Sequence, residues 1–243
     1  MRTAPFRGGR PRYPFALNLD SPQADRLWAW WPCFDAQGKT VREVVRGQHG
    51  TMNASMNWVT DGLGNDPVLS NTNNAGDVNI GSVDLPLGGV FSLSWWMYPV
   101  SAWDTELNPV FGAAGSGRFY AFVGLTSANQ YTFRATVSAS EHVFRSGANI
   151  VAHGRWYHFC YVRAGTSGAN NRLYVNGAAI PNLESPSSAV TTGATTYYIA
   201  SNQPGWSARA RSCDWRLYTK ALTQEEVSHL YMPDTRWDLY APA

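Results

Sequence analysis

Charge is scarce in this chain: Asp, Glu, Lys and Arg make up 15% of its 243 residues, against a hydrophobic share of 44%. That balance excludes a globally disordered polymer and allows a sizeable core. Cysteine is scarcer still. Cys33, Cys160 and Cys213 make an odd count, and two of them lie inside strand-like runs. There a free thiol behaves as a small hydrophobe, so all three read as reduced structural residues and not as a disulfide framework. No run of about 18 apolar residues occurs, which argues against a membrane-spanning helix. No apolar stretch follows the basic start either, which argues against an export leader. Metal-type Cys/His spacing, a G-x-S-x-G elbow, a P-loop and a dinucleotide fingerprint are all missing, as are internal repeats.

Aromatic residues are plentiful, with 11 Trp and 12 Tyr. They either fill a wide curved core or stand exposed as binding platforms. The most telling stretch is Gly154 to Ile180. It holds two β-rich runs, Trp156 to Arg163 and Arg172 to Asn176, closed by Asn176-Gly177, the dipeptide that most readily supplies two positive φ angles for a hairpin turn. Alternation puts Tyr157, Phe159 and Tyr161 on one side and Trp156, His158, Cys160 and Val162 on the other. Both sides are largely apolar, which implies a central strand covered twice.

Phe91 to Pro99 alternates in the same way, with Phe91, Leu93, Trp95 and Met97 on one face and Ser92, Ser94, Trp96 and Tyr98 on the other. Short strand-like runs follow at Val110 to Ala113, Phe119 to Leu125, Tyr131 to Val137 and His142 to Arg145, a rhythm of about ten residues that points to an antiparallel sandwich. Asn57 to Asn79 is rich in Asn, Asp and Gly and reads as long loops with a weak strand at Val78 to Ile80. Thr223 to Glu226 forms a capping box, with Leu222 and Val227 placed for a hydrophobic staple. It predicts a helix over Gln224 to Tyr231, ended by Pro233.

The two ends differ from the middle. Arg2, Arg7, Arg10 and Arg12 carry +4 with no acid before Asp20, so with a net charge of +2 the remainder sums to −2. Interleaved Pro and Gly keep this arm from forming a helix, leaving it solvated or docked on an acidic surface. The folded part lacks a basic stripe, so nucleic acid is excluded as a sequence-specific partner. Trp237, Leu239 and Tyr240 lie beyond Pro233 and read as anchors of a C-terminal docking tail. The expected organisation is an N-terminal arm and linker at 1–24, one domain at 25–232 and a docking tail at 233–243.

The pattern G-x-W-x-H in Gly154 to His158, followed by L-Y-V-N-G in Leu173 to Gly177, resembles the middle of a laminin-G-like domain of the concanavalin A-like lectin/glucanase superfamily. Leu27 to Met52 resembles that family's opening, with its motif acid present as Glu43, and Phe91 to Pro99 and Ser212 to Tyr231 resemble two further motifs in the family's order. The resemblance implies an all-β, antiparallel concanavalin A-like jelly-roll sandwich with one short C-terminal helix and extended terminal arms. Family glucanases set paired carboxylates on one strand, roughly E-x-D-x-x-E. Here the one adjacent acidic pair, Glu225-Glu226, opens the helix, so no catalytic residue is expected.

Calcium is the family's common cofactor, and Asp61, Asp66, Asp77 and Asp104 are candidate loop ligands or plain solvated acids. The closing motif weakens the case, because its first Asp falls on Cys213 and only Asp214 is kept. His49, His153 and His158 read as structural, His158 as an internal hydrogen-bonding residue. Sugar binding would use loop aromatics beside polar groups: Trp103 and Trp206, with Arg209 and Arg211, have the right types, although each Trp could equally fold back as a lid and each Arg flank the last strand. The chain also resembles laminin-G-like proteins found among phage and viral structural proteins, whose ends carry a motif like Arg236 to Pro242. That implies a non-catalytic virion component, a capsid decoration or tail-associated subunit made in the host cytoplasm. Its partners would be other structural proteins of the particle, docked through Arg2, Arg7, Arg10, Arg12, Trp237, Leu239 and Tyr240, with glycans as possible ligands and no membrane. The alternative is a stand-alone carbohydrate-binding module.

Overall fold

The Gly154–Ile180 stretch folds as its pattern requires. The computed structural model describes residues 15–60, 66–71, 75–100, 108–113, 118–125, 131–138, 141–147, 149–183, 189–203, 206–207 and 209–242. In it Tyr157–Arg163 pairs antiparallel with Arg172–Val175, with Phe159 opposite Val175 and Tyr161 opposite Leu173. Asn176 and Gly177 both take positive φ, 51° and 77°, and the chain returns as Ala178–Ile180. On its other edge the central strand pairs with Phe91–Pro99, from Tyr157 opposite Met97 to Arg163 opposite Phe91.

Two eight-stranded antiparallel sheets are built this way among the described residues. One runs in the order Ala178–Ile180, Arg172–Val175, Tyr157–Arg163, Phe91–Pro99, Ala210–Tyr218, Val68–Ser70 and Asn57–Val59, with Leu27–Trp31 also paired to Ala210–Tyr218. The other runs Glu141–Arg145, Tyr131–Ser138, Tyr120–Leu125, Asn108–Gly112, Thr195–Ile199, Val78–Val83, Gly50–Met52 and Thr40–Val41. The Asn57 to Asn79 region thus carries more strand than its loop-like composition suggests, because pairing to neighbours overrides weak local propensity.

The core lies between the sheets. Trp95 is stacked between Phe159 and Trp215, with ring centroids 5.1 Å away on each side and interplanar angles of 7° and 2°. Tyr161 meets Phe119, Phe133 and Phe144. Trp30, Trp31, Trp95, Trp96, Trp215 and Trp237 are all buried, so most described Trp residues fill space. The cysteines are buried and form no disulfide with one another.

The outer face of the first sheet is covered by the helix Gln224–Tyr231. Thr223 accepts from the Glu226 amide at 3.2 Å and Glu226 accepts from the Thr223 amide at 2.8 Å, closing the capping box. Val227, Leu230 and Leu222 then pack on Cys160, Val162, Tyr174 and Tyr218. The central strand is covered on both faces, as its two apolar sides require.

The ends depart from the expected division. Phe15–Leu17 pairs antiparallel with Tyr240–Pro242. Trp237, Leu239 and Tyr240 are 4%, 0% and 0% exposed and pack on Trp30, together with Phe15, Leu17, Phe34 and Val44. Their apolar area is therefore spent on the domain's own flank, which corrects their reading as a free docking tail. The physical reason is Trp30: it points away from the main core, and the tail is what removes it from water. The folded unit spans at least Phe15 to Pro242. Arg2, Arg7, Arg10 and Arg12 lie outside the described residues.

Candidate carbohydrate-binding rim

The outer face of the Tyr157–Arg163, Phe91–Pro99 and Ala210–Tyr218 strands changes character along its length. At one end Ser92 and Ser94 lie under the helix. The Ser92 hydroxyl donates to the Lys220 carbonyl at 2.8 Å and accepts from the Leu222 amide at 3.0 Å. In the middle Trp96 and His158 face each other at 5.2 Å, and the Tyr231 ring at the helix end lies over both, at 6.0 and 6.2 Å. The Arg236 guanidinium sits 5.4 Å from the Trp96 ring.

His158 Nε2 lies 2.9 Å from Ser94 Oγ. The pair has the composition of a nucleophile and its base, but both residues are buried beneath Tyr231. Burial pulls the imidazole pKa down to about 3, with Arg216 and Arg236 adding to the shift and Asp214 opposing it. A neutral, enclosed histidine is a structural hydrogen-bonding group, as its mid-strand position suggests.

Beyond Tyr231 the helix cover stops, and the next outward residues form a rim. Tyr98 stands opposite Arg211 in register, and the Arg211 guanidinium lies 5.1 Å from the Tyr98 ring centroid. Trp156 is 5.6 Å from Tyr98 on the other side. All three side chains, and Arg209, are only partly buried, while His153, Gly154 and Arg155 are exposed. Gly154 takes φ +81° and donates to the Pro99 carbonyl at 2.9 Å, so the glycine before Trp156 is needed for the turn that presents the indole. Val100 donates to the Arg209 carbonyl at 3.1 Å, which joins the ends of Phe91–Pro99 and Ala210–Tyr218 at this rim.

Of the residues singled out for sugar binding, the structure places the Arg211 guanidinium beside Tyr98 and the Arg209 backbone at the same end of the strand. Trp103 and the side chain of Trp206 lie outside what is described. Tyr98 and Trp156 were missed, because alternation assigns them a face but not the point where the helix ends. Gly154 was the available signal.

Among the acids, Asp77 is buried, accepts from Asn53 Nδ2 at 2.6 Å and has its pKa raised by burial. Asp66 is buried, and Asp61 and Asp104 lie outside the described residues. No group of three or more His, Cys, Asp or Glu is gathered for a metal among the described residues. Glu43, the opening motif's acid, accepts four backbone N–H groups, from Trp30 and Val45 at 2.8 Å, Arg46 at 2.6 Å and Gln48 at 3.2 Å. It is a structural anion that holds the turn after Val41.

Residues 71–228 match the family model described as the concanavalin A-like lectin/glucanases superfamily, Laminin_G_3. The chain belongs to this superfamily. Solved structures share its sandwich. A Trypanosoma rangeli sialidase in complex with the inhibitor DANA is similar over 84% of this chain and 32% of its own, at 16% identity and a TM-score of 0.61. Domain 4 of AbnA, a GH43 extracellular arabinanase from Geobacillus stearothermophilus solved in complex with arabinotriose, is similar over 85% of this chain and 98% of its own, at 15% identity and a TM-score of 0.58. The superfamily chain spans about a third of the sialidase's length. At these identities the likeness is one of fold. No curated protein matches the chain.

Proposed function

We propose that this lectin-like sandwich is a non-catalytic glycan-binding module whose sugar site is the rim of Tyr98, Trp156, Arg209 and Arg211. The observation that carries the reading is the abrupt end of the helix cover, which leaves an indole and a phenol partly exposed beside the Arg211 guanidinium, with the partly buried Arg209 two residues before it. Aromatic faces take the apolar C–H side of a pyranose or furanose, and Arg donors fix its hydroxyls. The absence of a two-carboxylate motif in the sequence supports binding without hydrolysis, and so does the structural use of Glu43, Asp214 and Glu226. A glycan array, followed by titration calorimetry on the full chain, tests this. Binding should be lost in W156A and weakened about tenfold or more in R211A, with both variants melting as the parent does. No bound glycan, or binding indifferent to both substitutions, would overturn it.

A second reading rests on the basic arm: the module is a virion component, a capsid decoration or tail-associated subunit, that presents the sugar site outward. Phe15, the residue next after 1–14, pairs with Pro242 on the flank formed by the folded C-terminal segment. Docking is then assigned to Arg2, Arg7, Arg10 and Arg12 and no longer to Trp237, Leu239 and Tyr240. Deleting residues 2–14 should release the protein from particles while glycan binding persists. A native protein found only free of particles would sink this reading.

A further inference from the structure

Where the helix ends, one guanidinium lies against two indoles without a counter-charge. The Arg236 amide donates to the Met232 carbonyl at 2.9 Å, and its guanidinium sits 5.4 Å from the Trp96 ring centroid and 5.2 Å from that of Trp237. The side chain is only partly buried. No ion pair among the described residues includes it. Asp214, the carboxylate whose field reaches it, is already held by Trp30 Nε1 on one oxygen and by Arg216 on both. Two buried donors at this spot also lack a protein acceptor: Arg236 Nε and the indole Nε1 of Trp96, a residue 3% exposed. Burial pulls the guanidinium pKa down, against the fields of Tyr231, Asp214 and Cys213. A buried N–H without an acceptor is costly, so two of them around an uncompensated cation favour an anion here.

The surroundings narrow the occupant. One unpaired guanidinium matches one negative charge, and its fork of N–H groups takes a planar carboxylate through two bonds. A phosphate group, with nearly two charges, would need a second cation. Arg216, whose Nη2 reaches the Arg236 carbonyl, is already paired with Asp214. Apolar surface adjoins the charge: Met232 is 48% exposed, Pro233 is exposed and the Tyr231 ring is partly so. A carboxylate flanked by apolar groups is what an acidic stretch of polypeptide presents. We infer that Arg236 anchors a protein-docking site, taking an Asp or Glu carboxylate from an acidic segment of a partner chain whose neighbouring apolar side chain covers Tyr231 and Met232. The site uses none of the rim's four residues, so the two can fail separately.

The test titrates the isotope-labelled full chain by NMR with acetyl-Leu-Glu-Leu-amide and with its neutral twin, acetyl-Leu-Gln-Leu-amide. The Glu peptide should move the Arg236 Nε–H and Trp96 Nε1–H resonances saturably, with a Kd on the order of mM, about tenfold or more tighter than the Gln peptide. R236Q should bring the two peptides to equal affinity, W156A should keep the difference, and acetate should compete better than inorganic phosphate. The two resonances are read in the parent protein, so the outcome does not depend on how R236Q folds. The inference is overturned if the Glu peptide moves neither resonance, if the Gln peptide binds as well, if R236Q keeps the preference, if W156A removes it, or if phosphate competes better than acetate.

Discussion

Trp30 Nε1 donates to Asp214 Oδ1 at 2.7 Å, joining residues 184 positions apart in the chain. Asp214 sits at a bulge in Ala210–Tyr218 with φ 56°, an angle that aims its carboxylate at the flank and away from the core. Arg216 closes on it with Nη2 at 2.8 Å and Nε at 3.1 Å, and reaches Gln23 Oε1 at 2.6 Å and the Arg236 carbonyl at 3.0 Å. One buried ion pair thus ties the last long strand to the segment before the first and to the segment after the helix. Burial alone would lower the Arg216 pKa; Asp214, with Tyr218 and Tyr240, together outweighs it, and the net direction is up.

Removing Asp234 to Ala243 should therefore cripple the fold and not merely a docking function. The deletion exposes Trp30 and strips Arg216 of the Arg236 carbonyl. At roughly 25 cal/mol per Å2, a buried Trp and Tyr of about 150–250 Å2 each contribute several kcal/mol. In a domain of this size that corresponds to a melting temperature lower by about 10 °C or more. A truncated chain that melts within a degree or two of the parent would show that the tail contacts carry little energy.

Glu43 offers a sharper case, because its charge is held entirely by backbone N–H groups. E43Q keeps the shape but replaces one accepting oxygen with a donor facing other donors. The cost should be about 2–4 kcal/mol, read as a lower urea midpoint with unchanged slope. An unchanged midpoint would mean that the turn re-forms around the amide.

Acid should weaken the protein through His158. Its folded pKa, about 3, is lower than the 6.5 of a free imidazole. Above pH 6.5 both folded and unfolded forms are neutral and the native packing is fully retained. As pH falls from 6.5 toward 3, the unfolded chain takes up a proton that the native state refuses. Stability then drops by roughly 1.4 kcal/mol per pH unit from this group. Urea titrations at pH 7, 6, 5 and 4 should show the parent losing stability faster than H158Q. Parallel losses in the two proteins would assign the acid sensitivity elsewhere.

The thiols should be silent until the chain unfolds. Cys33, Cys160 and Cys213 are each 0% exposed, and burial pushes the Cys160 thiol well above its ordinary range. A colorimetric thiol reagent should find none in the native protein and all three after denaturation, and reductant should leave the melting temperature unchanged. Rapid labelling of the native chain would place at least one of them at an opening.

Several features could be read directly from short-range pattern. The Asn176-Gly177 turn, the two-faced strand at Tyr157–Arg163, the alternation of Phe91–Pro99 and the capped helix Gln224–Tyr231 each depend on residues within one or two turns of chain. Propensity and periodicity act over that range. Arg209 and Arg211 stand out in the sequence only as sugar-binding candidates or flankers of the last strand, since Gly, Trp and Arg cluster in that stretch.

The sequence by itself determined the alternation of strands, the turns and the helix, and with them the family, because each follows from local sterics and a two- or 3.6-residue period. Tertiary structure alone decided that Trp237, Leu239 and Tyr240 turn back onto Trp30. It also decided that Glu43 and Asp214 serve as buried anchors, and that Tyr98 and Trp156 are left at the helix's edge. Those outcomes depend on which distant surfaces meet, and the free energy of burying an indole or pairing a carboxylate exists only once both partners, up to two hundred residues apart, are in place.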